Sequence, residues 1–423
     1  MGFIKAAVAL QLLLSSIAAA LPAGLVGLER DSVTQSSTVY DAIIVGGGPS
    51  GLSALSGLAR VRRNVLLIDS GDYRNDATRH MHDVIGFDGV TPAYFRWAAR
   101  RQLGYYETVS LINGTVTKID VAASNTTNST GTSTTPGAAP FTIQATFPSG
   151  EKATVGARSI ILATGLSDIL PETPGIKQNW GKGIFWCPWC DGNEHADQPL
   201  GIFSNILESA SLVQEISTLN SDIVAFVNGT DTPSARAATE QKFPNWERYL
   251  ALRNVTVENR TIAGVVRLAD GGNTEADPAA PTAPEHDLFR VDFTEGPSVL
   301  RAAFFASFPN HQHSSVGADM GVTLYGGRLA ADGAKGLMTN IPNVYAIGDA
   351  NADNVTNVPH ALFSGKRSAV FLHVQLARQE TAATLAGNTT SVDERGLGLD
   401  PRAVWEEMNG GKADILDAGE FKM

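Results

Sequence analysis

The hydrophobic pattern changes period twice between residues 40 and 70. Tyr40-Asp-Ala-Ile-Ile-Val45 is a continuous, β-branched apolar run, as in a strand buried on both faces. Gly46-Gly-Gly-Pro-Ser-Gly51 follows at once. From Leu52 to Arg62 the apolar positions Leu52, Leu55, Leu58 and Ala59 share one face of a helix, and Asn64-Val-Leu-Leu-Ile-Asp69 is a second buried strand. Similar runs predict strands at Ser159–Gly165, Leu200–Phe203, Asp222–Val227 and Asn343–Asp349, and helices over Glu208–Leu219 and Ala361–Arg378. The stretches 122–140 and 270–287 are polar and rich in breakers, and read as exposed loops. There is no short repeat, but a second β-α-β pattern begins near Leu200.

Composition narrows the class. The chain has 423 residues, 43% hydrophobic and 18% charged, enough for two or three globular domains and too apolar for disorder. A formal charge of −11 repels a phosphate backbone, so nucleic acid is not an expected partner. One lysine, an apolar stretch from Ala6 and the small-residue end Ala18-Ala-Ala20 describe a signal peptide over residues 1–20. It is short for a bilayer span, and no other segment is apolar enough, so no stable membrane insertion is expected. Residues 21–39 read as a flexible lead-in. N-x-S/T sequons at Asn113, Asn125, Asn128, Asn228, Asn254, Asn259, Asn354 and Asn388 fit an N-glycosylated protein that is secreted or held in the secretory lumen.

Two places carry chemistry. Gly46, Gly48 and Gly51 stand between a strand and a helix, where bare backbone and the helix N-terminus accept a pyrophosphate. Asp69 ends the second strand, where a carboxylate accepts hydrogen bonds from ribose hydroxyls. This argues for an ADP-containing cofactor without choosing FAD or NAD. The second place is Phe185-Trp-Cys-Pro-Trp-Cys-Asp-Gly192, holding the only two cysteines of the chain, Cys187 and Cys190. Zinc would need two further ligands, and no further Cys or paired His stands nearby in sequence. A structural disulfide closing so short a loop would stabilise little, so redox use is the expected role. Asp191 either shuttles a proton beside the pair or is a turn residue before Gly192. Trp186 and Trp189 either pack around the pair or wall an apolar pocket.

Taken together these motifs resemble the low-molecular-weight thioredoxin reductases, flavoproteins of the pyridine nucleotide-disulfide oxidoreductase group. The matching residues are Gly46–Gly51 with Asp69, Ala163-Thr164-Gly165, Cys187-Pro-Trp-Cys190-Asp191 and Ala346-Ile-Gly348-Asp349. Tyr73-Arg74-Asn75, His80-Met-His82 and Gly86-Phe-Asp-Gly89 add to them, and the likeness spans about residues 40–380. It implies an α/β fold of two Rossmann-like domains, the second inserted into the first. An FAD-binding domain would cover 40–168 and 299–380, an NADPH-like domain with the C-x-x-C would cover 169–298, and a tail 381–423. It implies FAD held by Gly46, Gly48, Pro49, Ser50, Gly51, Asp69, Ser70, Arg74, Asn75, His82, Ala163, Thr164, Gly165, Gly348, Asp349, Pro359, His360 and Ala361. It also implies that Cys190 lies against the flavin, that Cys187 meets the substrate, that Asp191 is the acid/base, and that the protein is a homodimer. His360, at the start of a helix aimed at the flavin, is a further catalytic candidate; His80 and His82 are flavin- or substrate-side candidates, while His311 and His313 are expected at the surface. No metal is implied.

One departure redirects the reading. Where the reductases carry a second glycine motif for NADPH, this chain has Gly201-Ile-Phe-Ser204-Asn-Ile206-Leu-Glu208-Ser209. A branched Ile206 and an anionic Glu208 oppose a pyrophosphate, and no arginine near Val227–Thr230 awaits a 2′-phosphate. The chain then resembles the fungal dithiol oxidases, the branch that includes gliotoxin dithiol oxidase. That implies a small-molecule dithiol oxidised to a disulfide, with O2 as electron acceptor. The alternatives are an NADPH-dependent reductase with an atypical nucleotide site and a flavin oxidase acting on a carbon centre.

Overall fold

The computed structural model describes residues 39–122, 139–272 and 284–387. The expected leader and lead-in up to residue 38, the centres of both expected loops, three of the sequons (Asn125, Asn128 and Asn388) and the tail from residue 388 lie outside the described residues.

In chain order the first elements are β1 (Ala42–Val45), α1 (Pro49–Ala59), β2 (Val65–Asp69), β3 (Val109–Asn113) and β4 (Ile160–Leu162). A connecting strand β5 (Leu166–Asp168) leads to β6 (Ile184–Phe185), the single turn α2 (Pro188–Asp191), β7 (Leu200–Phe203), α3 (Ile206–Ile216), β8 (Ile223–Phe226), β9 (Thr256–Glu258) and β10 (Ala303–Ala306). The chain returns through β11 (Asn310–Gln312) to β12 (Val344–Ala346) and the long helix α4 (Val358–Gly387).

Two parallel sheets result. The first has the order β12-β4-β1-β2-β3 and the second β6-β10-β7-β8-β9. Parallel sheets are covered on both faces, which is why the strands read as unbroken apolar runs. Ile43 and Val45 of β1 enter one core while Ala42 and Ile44 enter the other. β5 and β11 pair antiparallel, Leu166 opposite Gln312 and Asp168 opposite Asn310, and form the two-stranded passage between the lobes. β10 pairs with β6 and β7. The chain therefore leaves the second lobe after Ala306, later than the boundary at 298/299 expected from sequence. The reason is that Ala303–Ala306 is itself a central strand there.

Helix packing shapes the site. A Cβ at Gly57 would stand 2.7 Å from the Ala369 Cβ, and one at Gly365 would stand 2.2 Å from the Ser50 carbonyl. The two glycines let α4 lie directly on α1 and bring the start of α4 beside the start of α1.

Candidate active site

A cleft opens at the C-terminal ends of β1, β2 and β4, where the strand order reverses. The first turn is built by glycines with different tasks. Gly46 has φ +108°, and a Cβ there would come within 2.4 Å of the Ala163 carbonyl oxygen. Gly48 is the N-cap of α1 and provides no side-chain cap; Pro49 follows at the first helical position. A Cβ on Gly48 would meet nothing within 4 Å, so protein packing does not require this glycine. A bare backbone there leaves room for an anion against the helix N-terminus.

Other wall residues ask for a polar guest. The hydroxyls of Thr78 and Thr164 are buried in the wall and have no partner among the described residues. Asp69 is already engaged: its Oδ1 accepts the Gly47 and Gly71 N–H groups at 3.1 Å each, and its Oδ2 accepts the Tyr73 hydroxyl at 2.5 Å and pairs with Arg100. It holds the glycine turn in place as well as lining the cleft. Burial and the bond to Asp69 push the Tyr73 phenol up to about 12. Arg74 ties three regions together. It grips Asp168 of β5 through two nitrogens at 2.6 and 2.9 Å, reaches Asp349 at 2.9 Å, and lies over Trp186. Burial raises the Asp349 carboxyl, with Arg74 pulling against it.

The disulfide sits at the other end of the cleft. Cys187 caps α2, Pro188 begins it, and Cys187 and Cys190 are joined with Cα atoms 5.2 Å apart. Cys190 lines the cleft and Cys187 does not. The two thiols therefore face different surroundings. Trp186 stacks on Trp180, ring centres 5.2 Å apart, while Trp189 is exposed.

Behind the pair lies a buried polar network. Asp191 is buried, and burial together with the charges of Glu285 and Glu194 holds its carboxyl well above the usual range, Arg79 pulling the other way. His82 Nδ1 donates to the Cys190 carbonyl at 2.6 Å, and its Nε2 stands 3.4 Å from Glu194. His195 Nδ1 donates to the Asp191 carbonyl at 2.9 Å. His195, Glu285 and Asp287 offer ligand atoms within 4.8 Å of one another. Arg79 bonds both carboxylates and Arg267 bonds Asp287 at 2.6 Å, so arginines supply the positive charge there. Burial alone would raise Asp287; bonds from His195 and Arg79 outweigh it and hold the carboxyl far below the usual range.

Of the residues expected in the site, Gly46, Gly48, Pro49, Ser50, Asp69, Ser70, Arg74, Asn75, His82, Ala163, Thr164, Gly165, Cys190, Asp191, Asp349, Pro359 and Ala361 line the cleft. Gly51 and Gly348 shape it from behind. A Cβ on Gly51 would stand 2.0 Å from the Gly46 carbonyl, and Gly348, at φ +63°, would meet Ser50. His360 does not fulfil its expected role. Pro359 and Ala361 line the cleft, whereas His360 is not among its lining residues and its Nε2 stands 2.7 Å from Asp353. His313, expected at the surface, lines the cleft instead and bonds Ser167 at 2.8 Å, because β11 carries it back beside β5. Tyr73, Thr78 and Asn357 also stand in the wall. Tyr73 lay inside a recognised motif, but nothing local marked Thr78 or Asn357.

The corresponding turn of the second sheet is closed. Ile206 is wholly buried, and its N–H donates to Thr230 Oγ1 at 3.0 Å. Asn205 caps α3 by accepting the Glu208 N–H at 3.0 Å, and the Glu208 carboxylate pairs with Lys242 at 2.6 Å. Two of the helix's first N–H groups, those of Ile206 and Glu208, are thus bonded within the protein, while the buried Ser204 hydroxyl in the turn has no partner among the described residues.

The sequence pattern of the family described as pyridine nucleotide-disulphide oxidoreductase matches residues 40–213. A probable thioredoxin reductase of Arthroderma benhamiae is 43% identical over 350 residues, 82% of this chain and 82% of its own. Thioredoxin reductase tcpT of Claviceps purpurea is 25% identical over 346 residues, 80% of this chain and 95% of its own. The crystal structure of a putative thioredoxin reductase, TrxB from Bacillus anthracis, covers 81% of this chain and 99% of that one with a TM-score of 0.65; at 22% identity this is a likeness of fold.

Proposed function

Since the chain belongs to the thioredoxin reductase-like pyridine nucleotide-disulphide oxidoreductases, and is thus an FAD-dependent oxidoreductase, we propose that it runs as a dithiol oxidase: two substrate thiols become a disulfide, and O2 becomes H2O2. One observation carries the reading. The α3 N-terminus, where a nicotinamide nucleotide would place its pyrophosphate, is capped by Asn205 and Thr230 and backed by buried Ile206. Electrons then have to enter at the disulfide.

The chain's own residues supply the thiol chemistry. A substrate thiolate attacks Cys187 Sγ, and Cys190 leaves as a thiolate. The second substrate thiol attacks the substrate sulfur of the mixed disulfide, releasing Cys187 as a thiol. Asp191, whose carboxyl burial pushes well above the usual range and so toward the protonated form, is the group to give a proton to a nearby thiolate and take it back when the pair is reoxidised. The Gly46–Gly48 turn, the Thr78 and Thr164 hydroxyls and the start of α4 would hold FAD, which when bound would supply a two-electron acceptor. Passage through the secretory pathway fits this reading, because oxygen is present there and a cytosolic nucleotide pool is not needed.

The relatives carry the name thioredoxin reductase, so the NADPH-dependent alternative is tested directly. The purified yellow protein is titrated without oxygen, once with dithiothreitol and once with NADPH, and flavin absorbance is followed. Bleaching by the dithiol alone, with colour and H2O2 appearing on admission of air, is the expected result. Rapid bleaching by NADPH would overturn it.

A further inference from the structure

We propose that Asn228 and Asn259 carry N-linked glycans, and that these cover the crevice of the second sheet where a nucleotide would otherwise lie. The inference rests on entry into the secretory lumen, and its covering role shares with the oxidase reading the closed turn at the start of α3.

The topology places both sequons at one spot. Asn228-Gly229-Thr230 follows β8 and Asn259-Arg260-Thr261 follows β9, at the C-terminal edge of neighbouring parallel strands. That edge is where an open parallel sheet takes its ligand. The two segments are stitched together: Gly229 N–H donates to the Asn259 carbonyl at 2.8 Å, and Asp231 N–H donates to Asn259 Oδ1 at 3.0 Å. Both asparagines are exposed, Asn228 in the left-handed region at φ +48°.

Both side chains keep a bond after modification: Asn259 Nδ2, which donates to the Asp231 carbonyl at 3.4 Å, retains one N–H in the glycosylated amide. Asn228 Oδ1 accepts the Ile262 N–H at 2.8 Å, and that oxygen survives glycosylation. In the transfer, an Nδ2–H bond is exchanged for a bond from Nδ2 to the anomeric carbon of a lipid-diphosphate-linked oligosaccharide. The lipid diphosphate leaves and the proton goes to solvent, with no change of oxidation state. Thr230 has two roles here. Its hydroxyl caps Ile206, closing the helix against phosphate, and the same hydroxyl completes the Asn228 sequon. One residue thus couples loss of the nucleotide site to gain of the modification. Asn254 stands just before β9, at the opposite end of that strand and after the helix Trp246–Leu252, and serves as an internal comparison.

The test is peptide mapping of the protein purified from the medium of a eukaryotic secretory host, after a glycosidase that converts each occupied asparagine to aspartate. Conversion at Asn228 and Asn259 in most molecules is expected. Lys242, exposed beside Glu208 at the mouth of the crevice, reports coverage: its acylation by a bulky amine reagent should rise severalfold in the N228Q/N259Q variant, with dithiol turnover unchanged. Glycans at Asn254 or Asn354 but at neither crevice site would overturn the proposal. Secreted protein with no glycan at all would overturn it as well, while a chain that never reaches the medium would overturn the secretory reading on which it rests, leaving the flavin titration unaffected. Occupied sites with unchanged Lys242 labelling would overturn the covering role.

Discussion

The two sheets begin alike and end differently. Each runs strand, tight turn, helix and strand, and each points a helix N-terminus at its C-terminal edge. In the first, α1 starts from Gly48 and Pro49 with no side-chain cap. In the second, α3 starts from Asn205 and Ile206 with a side-chain cap and a threonine on the next N–H. The contrast teaches that a helix N-terminus is an anion site only while its donors remain available. A few side chains convert one state into the other while the backbone topology stays.

In the proposed scheme electrons enter at the disulfide and not at the second sheet. Its strongest break would be turnover without the thiol pair. Cys187→Ser should reduce dithiol-driven oxygen consumption on the order of 1000-fold while bound flavin absorbance persists; retained turnover would sink the scheme. Asp191→Asn should lower turnover on the order of 100-fold. It also carries a stability signature. Burial raises the folded-state pKa, so the parent is unpenalised below about pH 4 and loses stability as pH rises toward that raised value. The melting temperature of the asparagine variant, relative to the parent, should therefore climb with pH above about 4; a flat difference would contradict the buried, protonated carboxyl.

The first sheet can be sharpened at Gly48, whose Cβ direction is clear of protein. Gly48→Val should leave the thermal melt within about 0.5 kcal/mol of the flavin-free parent and cut flavin per chain roughly tenfold. A parent-like flavin content would remove the phosphate from this turn. The smallest effect belongs to the second sheet. Asn205→Ala should cost about 1 kcal/mol in denaturant unfolding, the usual loss for an N-cap, and should not create NADPH binding while Ile206 and Thr230 remain.

The first turn was legible in the sequence because strand, glycines, helix and acid are contiguous and their pattern is local. The disulfide was legible because only two cysteines exist, three apart. The polar network behind it was not, since Arg79, Glu194, Glu285 and Asp287 come from distant stretches that only the fold brings together. His313 was hidden for the same reason: the pairing of β5 with β11 decides where it points. His360 stands at the helix start that the sequence implies, but its ring meets Asp353 of the preceding turn, a contact no local pattern announces. Asp69 was found, with a task that sequence did not reveal, because Arg100 and Tyr73 approach it through the tertiary fold.

The passage formed by β5 and β11 has a consequence for the growing chain. β1 to β4 leave the ribosome early, but β12, Asp349 and the start of α4, which complete the cofactor cleft, emerge only after the entire second lobe. At about 5–20 residues per second, synthesis from Leu162 to Val344 takes roughly ten to forty seconds. The redox lobe is thus made before the flavin can be gripped, so a nascent chain halted before Val344 holds both cysteines without a finished cradle. Colour is acquired last, which makes yellow protein a reporter of chains completed at least through the start of α4.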